Sequence, residues 1–216
     1  MQPETLIANH PKLFHAADAR AWPSIQAHGL LPTSAILDRY GAPGEVMEAA
    51  LSGIRRRTIV VESTDGHTAV VRDQAPLKFL DRVLTSDTTV QEYLDLLNGR
   101  CYFWATKERL DRIVNGRLYR RTPQVILTID TRSLVEKYGH VVELSPYNSG
   151  SAHVPNAPQR GRGTFLPVHE YDYEDWRRRR GKASEAVVEV TVPGPVPDIL
   201  AHIIDVHVID GQGTKN

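Results

Sequence analysis

A chain of 216 residues with 41% hydrophobic and 24% charged side chains has the make-up of a globular protein long enough to bury a core without cross-links. Its 26 basic and 26 acidic residues cancel, which argues against a general polyanion binder. A single cysteine, Cys101, excludes an internal disulfide and suits a reducing compartment.

No apolar run reaches membrane-spanning length, and the opening MQPETLIANHPKLF lacks the basic-then-apolar order of a secretory leader. A cytoplasmic protein with no membrane association is therefore expected. The sequence carries no internal repeat, and one domain over 1–216 is expected.

In chain order, 12–16 reads as a short strand. A helix follows with Pro23 in its first turn, carrying Trp22, Ile25 and Gln26, and Gly29 ends it with a positive φ. Residues 45–54 read as a helix. Segments 58–62 and 67–72 flank Asp65-Gly66, a hairpin signal. Amphipathic helices are predicted near 77–84 and 90–97.

An aromatic strand at 101–104 precedes a helix over Lys107–Val114, a strand over Gln124–Asp130, a helix at 133–138 closed by Gly139, and a strand at 141–144. Periodicity then stops, and 146–167 reads as a long loop, of a length that is usually functional when a domain keeps it. A helix around Trp176 within 170–180, strands at 186–192 and 205–209, and a turn at 198–203 complete the chain. Strands and helices alternate without a doubly wound rhythm, which favours an α+β fold with a largely antiparallel sheet and flanking helices.

Several chemistries are excluded. The chain has no phosphate-binding Gly-rich loop ending in Lys-Ser/Thr, no GxGxxG, HExxH or CxxC, and no GxSxG elbow. Its nine histidines are scattered, and His202 and His207 do not have helical zinc spacing, so no metal is expected. Cys101 lies between Arg100 and an aromatic run and reads as a buried structural thiol.

Three blocks resemble the ADP-ribosyltransferase superfamily, most closely its DarT-type members that modify DNA bases. The first is Leu13-Phe14-His15-Ala16-Ala17, then Trp22, Ser24 and Ile25, then His28-Gly29-Leu30-Leu31. The second is Tyr102-Phe103-Trp104-Ala105-Thr106. The third is Val188-Glu189-Val190-Thr191-Val192-Pro193, continuing Val196-Pro197-Asp198-Ile199. Further blocks, Arg72-Asp73-Gln74, Asn98-Gly99-Arg100, Asn148-Ser149-Gly150-Ser151 and Arg160–Phe165, resemble an uncharacterised bacterial family of the same layout.

The first resemblance implies a split, mainly antiparallel sheet and an enzyme that consumes NAD+ as co-substrate. It gives Glu189 and His15 catalytic roles, with His15 also holding the ribose or the carboxamide. Tyr102 and Trp104 wall the nicotinamide, and an arginine (Arg56, Arg57 or Arg72) pairs with the pyrophosphate. The loop before the last catalytic strand, with Asn148, His153 and Arg160, meets the acceptor, and a nucleic acid is the first choice. A toxin or defence role, with a neutralising antitoxin as partner, is the accompanying expectation. The absence of a Glu/Gln-x-Glu pair before Glu189 counts against arginine-directed protein modification.

The chemistry suits those residue types. Breaking the nicotinamide–ribose bond builds positive charge on the sugar, and a fixed carboxylate stabilises it as in glycoside cleavage. Alternation places Ala186, Val188, Val190 and Val192 on one face of the strand and Glu189 on the other, toward a cleft or solvent. Blander readings stand beside each role: Glu189 on a wet strand face, His15 as a core histidine, the aromatics as packing, and the arginine run Arg177 to Arg180 as a solvated surface. Three competing functions remain open: a nucleotide- or nucleic-acid-binding module without turnover, an RNA 2′-phosphotransferase-like enzyme, and an unrelated hydrolase or nuclease.

Overall fold

The runs QVILTID and EVTVP are buried on both faces in a computed structural model that describes residues 1–211; positions 212–216 of the expected domain lie outside the described residues. The chain opens with helix α1 (Pro3–Asn9) and strand β1 (Lys12–Asp18), then α2 (Trp22–His28), α3 (Thr33–Arg39) and α4 (Gly44–Leu51). The hairpin β2 (Ile59–Glu62) and β3 (Thr68–Val71) leads to α5 (Leu80–Val83), α6 (Val90–Asn98) and β4 (Arg100–Trp104). Next come α7 (Lys107–Val114), β5 (Gln124–Asp130), α8 (Thr131–Tyr138), β6 (Glu143–Ser145) and β7 (Leu166–Pro167). The last elements are α9 (Tyr173–Arg180), β8 (Glu189–Pro193) and β9 (Ile203–Ile209).

Seven strands form one sheet in the order β7-β6-β8-β4-β1-β5-β9, antiparallel at every pairing, and β2 and β3 form a separate ribbon. The fold is thus α+β, with a mainly antiparallel sheet and flanking helices. Pairing is uneven. Strand β1 runs along β5 from Lys12↔Asp130 to Asp18↔Gln124, and β4 runs along β8 from Arg100↔Pro193 to Trp104↔Glu189. Between them, β1 and β4 pair at Phe14↔Trp104 alone among the described residues.

Local chemistry sets the helix starts. In α6, Thr89 accepts from the Glu92 N–H while Glu92 reaches back to the Thr89 N–H, a reciprocal cap that satisfies two otherwise unpaired donors. Thr106, Asp130 and Asp172 cap α7, α8 and α9 by their side chains. Gly29, after α2, has φ +76 and is hemmed in: a Cβ there would lie 2.4 Å from the Pro197 Cα. Only glycine fits both constraints.

The main core gathers Leu13, Phe103, Leu127, Leu144 and Val190 from five neighbouring strands. A second cluster under α5 and α6 holds Leu77, Leu80, Tyr93 and Phe165, and a third joins the hairpin to α3 and α4.

The structure corrects several expected boundaries. Helices α1 and α3 were not expected, although Pro3 is a fitting first-turn residue for α1. Helical structure in 77–84 shrinks to Leu80–Val83, and the strand expected at 141–144 is Glu143–Ser145. The loop 146–167 contains a short 3-10 turn at Arg162–Thr164 and ends in β7. The strand expected at 186–192 starts only at Glu189, after a 3-10 turn at Ala183–Glu185. Both of its faces are covered, Val190 and Val192 lying in the main core and the loop carrying Ser149 lying over Glu189, so Glu189 is not on a wet face.

Candidate functional site

Alternation along β4 sends Cys101 and Phe103 into the main core and leaves Tyr102 and Trp104 half-buried on the other face. Trp104 stands opposite Phe14 of β1 on one side and Glu189 of β8 on the other. Two adjoining cavities open around these strands. One, of about 270 Å³, is lined by His15, Ser24, Leu30 and Val71 among others. The other, of about 260 Å³, is lined by Glu189, Asn148, Ser149, Asn98 and Arg55. Thr33, Arg72, Leu97, Tyr102, Trp104 and Ile113 line both. The two form a cleft of the size small-molecule sites usually have, with the imidazole on one flank and the carboxylate on the other.

Glu189 is 3% exposed. Its Oε2 accepts the backbone N–H of Ser149 at 3.1 Å. Burial pushes its carboxyl up to about 7, against the ionising pull of that Ser149 hydrogen bond and of Arg160 and Arg100. On the opposite flank, the Nδ1 of His15 lies 2.8 Å from the carbonyl oxygen of Tyr102. A carbonyl only accepts, so Nδ1 carries the proton and Nε2 keeps a free lone pair. Burial lowers His15 to about 4, with the nearby positive charge of Arg72 acting in the same direction against the Tyr102 hydrogen bond. The ring is neutral at physiological pH.

Arginine placement differs from expectation. Arg56 and Arg57 are exposed and line neither cavity. It is Arg55 that turns inward, 6% exposed. Its guanidinium donates to the carbonyl oxygens of Arg72 at 2.9 Å and Ala50 at 2.6 Å and to Asn98 Oδ1 at 3.3 Å. Burial lowers its pKa to about 10 in spite of Asp73 and Tyr119. Gln74 completes the knot, its Oε1 accepting the Arg55 N–H and its Nε2 donating to Asn98 Oδ1. Arg72 lines both cavities and is held by Gln124 Oε1 at 2.8 Å and by stacking on Tyr119 at 4.7 Å. Its pKa too is lowered by burial, opposed by Tyr119, Asp18 and Asp73.

Of the residues expected to meet an acceptor, Asn148 lines the Glu189 cavity. His153 is exposed, lies outside both cavities and bonds Ser151 Oγ at 2.8 Å. Arg160 is 2% exposed and committed inside its own loop, donating to the carbonyls of Pro158, Asn148 and Ser151 and stacking 4.1 Å above Tyr147. Both of its Nη groups are thus engaged in shaping the loop, while its Nε is buried without a partner. In the basic run of α9, Arg177, Arg178 and Arg179 pair with Glu174 or Asp175, and Arg180 donates to the Pro146 carbonyl. Cys101 is buried as expected, its thiol pushed up to about 12 by desolvation.

Asn98, Gln74, Arg55 and Ser149 had no expected role at the site. The signal for three of them was present, since the blocks Arg72-Asp73-Gln74, Asn98-Gly99-Arg100 and Asn148-Ser149-Gly150 all converge on the Glu189 cavity. Two polar atoms of this wall, Asn98 Nδ2 and Ser149 Oγ, are buried without a partner. Such orphans are uncommon and call for an explanation.

No curated protein and no solved structure matches the chain. The profile of a family of unknown function, DUF7002, matches residues 11–203, from the foot of β1 to the first residue of β9 and across every wall of the cleft. The chain belongs to the DUF7002 family.

Proposed function

We propose that this protein is an NAD+-dependent ADP-ribosyltransferase whose acceptor is a nucleic acid, a DNA base in the first instance. The observation that carries this reading is that His15 and Glu189 line two adjoining cavities that share Tyr102, Trp104 and Arg72 as walls. The sparse pairing of β1 with β4 also fits the split sheet of that superfamily.

The residues divide the work as follows. The free Nε2 of His15 accepts a hydrogen bond from a ribose hydroxyl or the carboxamide and fixes the sugar's orientation. The ring edges of Tyr102 and Trp104 flank the nicotinamide, and Arg72 supplies positive charge for the pyrophosphate. As the C–N bond breaks, its electron pair leaves with nicotinamide, and the ionised Glu189 carboxylate stabilises the cationic sugar. The acceptor's nucleophilic atom then forms the new bond to the anomeric carbon and gives up its proton to water, and Asn148 and the main chain of 148–150 lie beside Glu189 to hold it. Growth cost on expression, relieved by a neutralising partner, belongs to the same reading.

The test is nicotinamide release from NAD+ with and without single- and double-stranded oligonucleotides, each then weighed by mass spectrometry. Release, an oligonucleotide heavier by one ADP-ribose, and a drop of about 10²–10³-fold in Glu189→Ala with its circular dichroism intact are expected. Oligonucleotides that are cut without gaining mass would instead establish a nuclease. Nucleotide binding without turnover would establish a binding module.

A further inference from the structure

We propose that His28, Asp65 and His67 form a divalent-metal site, of the kind that takes zinc, which clamps the β2–β3 hairpin to the end of α2. The two histidines are remote in the chain, but the fold sets their rings 5.2 Å apart, nearly perpendicular. Both Nε2 atoms face the same oxygen: His28 Nε2 is 3.9 Å and His67 Nε2 4.0 Å from Asp65 Oδ2. One ligating atom from each residue lies within 4.8 Å of the other two. Ligand atoms around a tetrahedral zinc with bonds of about 2.0–2.2 Å stand about 3.4 Å apart, so the site needs to contract by only about 1 Å.

The hairpin turn prepares the carboxylate. Gly66 takes φ +82 and donates its N–H to the Ser63 carbonyl at 3.0 Å. The Ser63 hydroxyl donates to Asp65 Oδ1. One carboxylate oxygen is thereby held by an outer partner and the other is left facing the imidazoles, the arrangement typical of ligating carboxylates. Two imidazoles, one carboxylate and an open fourth position for water suit zinc and its neighbours better than magnesium or calcium, which take oxygen ligands.

One group opposes the metal. The Nη2 of Arg39 donates to His28 Nδ1 at 2.9 Å. In the metal-free protein this places the neutral ring's proton on Nε2. Binding at Nε2 moves that proton to Nδ1 and turns Arg39, an exposed residue at the end of α3, out to solvent. The outcome is a latch. His28 immediately precedes Gly29 and Leu30, and His67 immediately precedes β3, whose Ala69, Val70 and Val71 face the same cavity as those two residues. A metal bridging the two histidines joins two walls of that cavity from outside its lining.

Isothermal titration calorimetry of the full chain, stripped with chelator and titrated with zinc chloride, tests this, with visible absorption on cobalt substitution as a second readout. One ion per chain and the absorption bands of tetrahedral cobalt are expected. Asp65→Asn, in an exposed turn, and His67→Gln are expected to weaken binding at least about 100-fold, as loss of a direct ligand exceeds the 10–100-fold effect of outer-shell changes. Arg39→Ser is expected to tighten it about tenfold, worth about 1.4 kcal/mol, an effect that a merely structural cluster would not produce. Absence of stoichiometric binding by the wild-type chain, or binding unchanged in a folded Asp65→Asn/His67→Gln double variant, overturns the proposal.

Discussion

The carboxylate of Glu189 is hydrogen-bonded to the main-chain N–H of Ser149 at 3.1 Å, so the loop that follows β6 closes directly over β8. This contact buries an ionisable group that the fold stabilises only in part, and its proton affinity rises in consequence.

Glu189 should therefore weaken the fold where it is charged. Its folded pKa, about 7, exceeds the ordinary 4.5. Proton binding by the folded state thus contributes stability that is fully present below pH 4.5 and is lost as pH rises through about 7. At about 1.4 kcal/mol per unit the ceiling is about 3 kcal/mol. Glu189→Gln keeps an oxygen for Ser149 and removes the charge. We expect it to be about 1–3 kcal/mol more stable than wild type at pH 8 and about equal at pH 4.5, measured by urea unfolding. A variant less stable at pH 8 would show that the carboxylate is well satisfied in place. Turnover, if it needs the ionised form, rises with pH across the same window.

The imidazole of His15 should stay neutral well below physiological pH. With its pKa near 4 and Nδ1 bound to the Tyr102 carbonyl, nitrogen-15 NMR should report the Nδ1–H tautomer from pH 8 down to pH 5. Titration near 6.5 would mean that the ring is solvated and outside the cleft.

Among the three consecutive arginines only Arg55 should matter to the fold. Arg55→Met leaves the Ala50 and Arg72 carbonyls without their side-chain donor and Asn98 Oδ1 with Gln74 alone, an expected loss of about 2–4 kcal/mol. Arg56→Ala and Arg57→Ala should stay within about 0.5 kcal/mol of wild type, and neither should alter nucleotide affinity. Chemical denaturation of the three variants side by side decides the matter.

Gly29→Ala combines a disfavoured positive φ with a Cβ 2.4 Å from the Pro197 Cα, and it should lower stability by more than about 2 kcal/mol. The strain falls where Leu30 bridges Val196, so the loss should be accompanied by faster amide exchange at Leu30 and Val196. A melting temperature equal to wild type would refute the close approach.

Arg160 binds four carbonyls of its own loop. Arg160→Ala should open residues 146–167 to limited chymotrypsin cleavage at Tyr147 or Phe165 while far-ultraviolet circular dichroism is unchanged. Protection equal to wild type would show that the loop holds without it.

Legibility in the sequence followed local physics. Lys107–Val114 and Gln124–Asp130 could be read to the residue because one is strongly amphipathic with a threonine cap and the other is a continuous apolar run. Asp65-Gly66 likewise announced the hairpin, which the structure pairs from Ile59↔Val71 to Glu62↔Thr68. That Glu189 lies on a strand was legible, but its burial was not, because alternation describes a sheet with one wet face and β8 has none. Three adjacent arginines are locally equivalent. What distinguishes Arg55 is the approach of Gln74 and Asn98 from elsewhere in the chain, a tertiary fact without a local trace. The same limit hid the commitment of Arg160 to its own loop.

The lone register pair between Phe14 and Trp104 has a mechanical consequence. Elsewhere, parting two neighbouring strands of this sheet means unzipping a ladder of amide bonds, whereas here almost nothing on the main chain resists it. What holds the two leaves together at that seam is side chains: Leu13 and Phe103 share one core, and the His15 ring bonds the Tyr102 carbonyl.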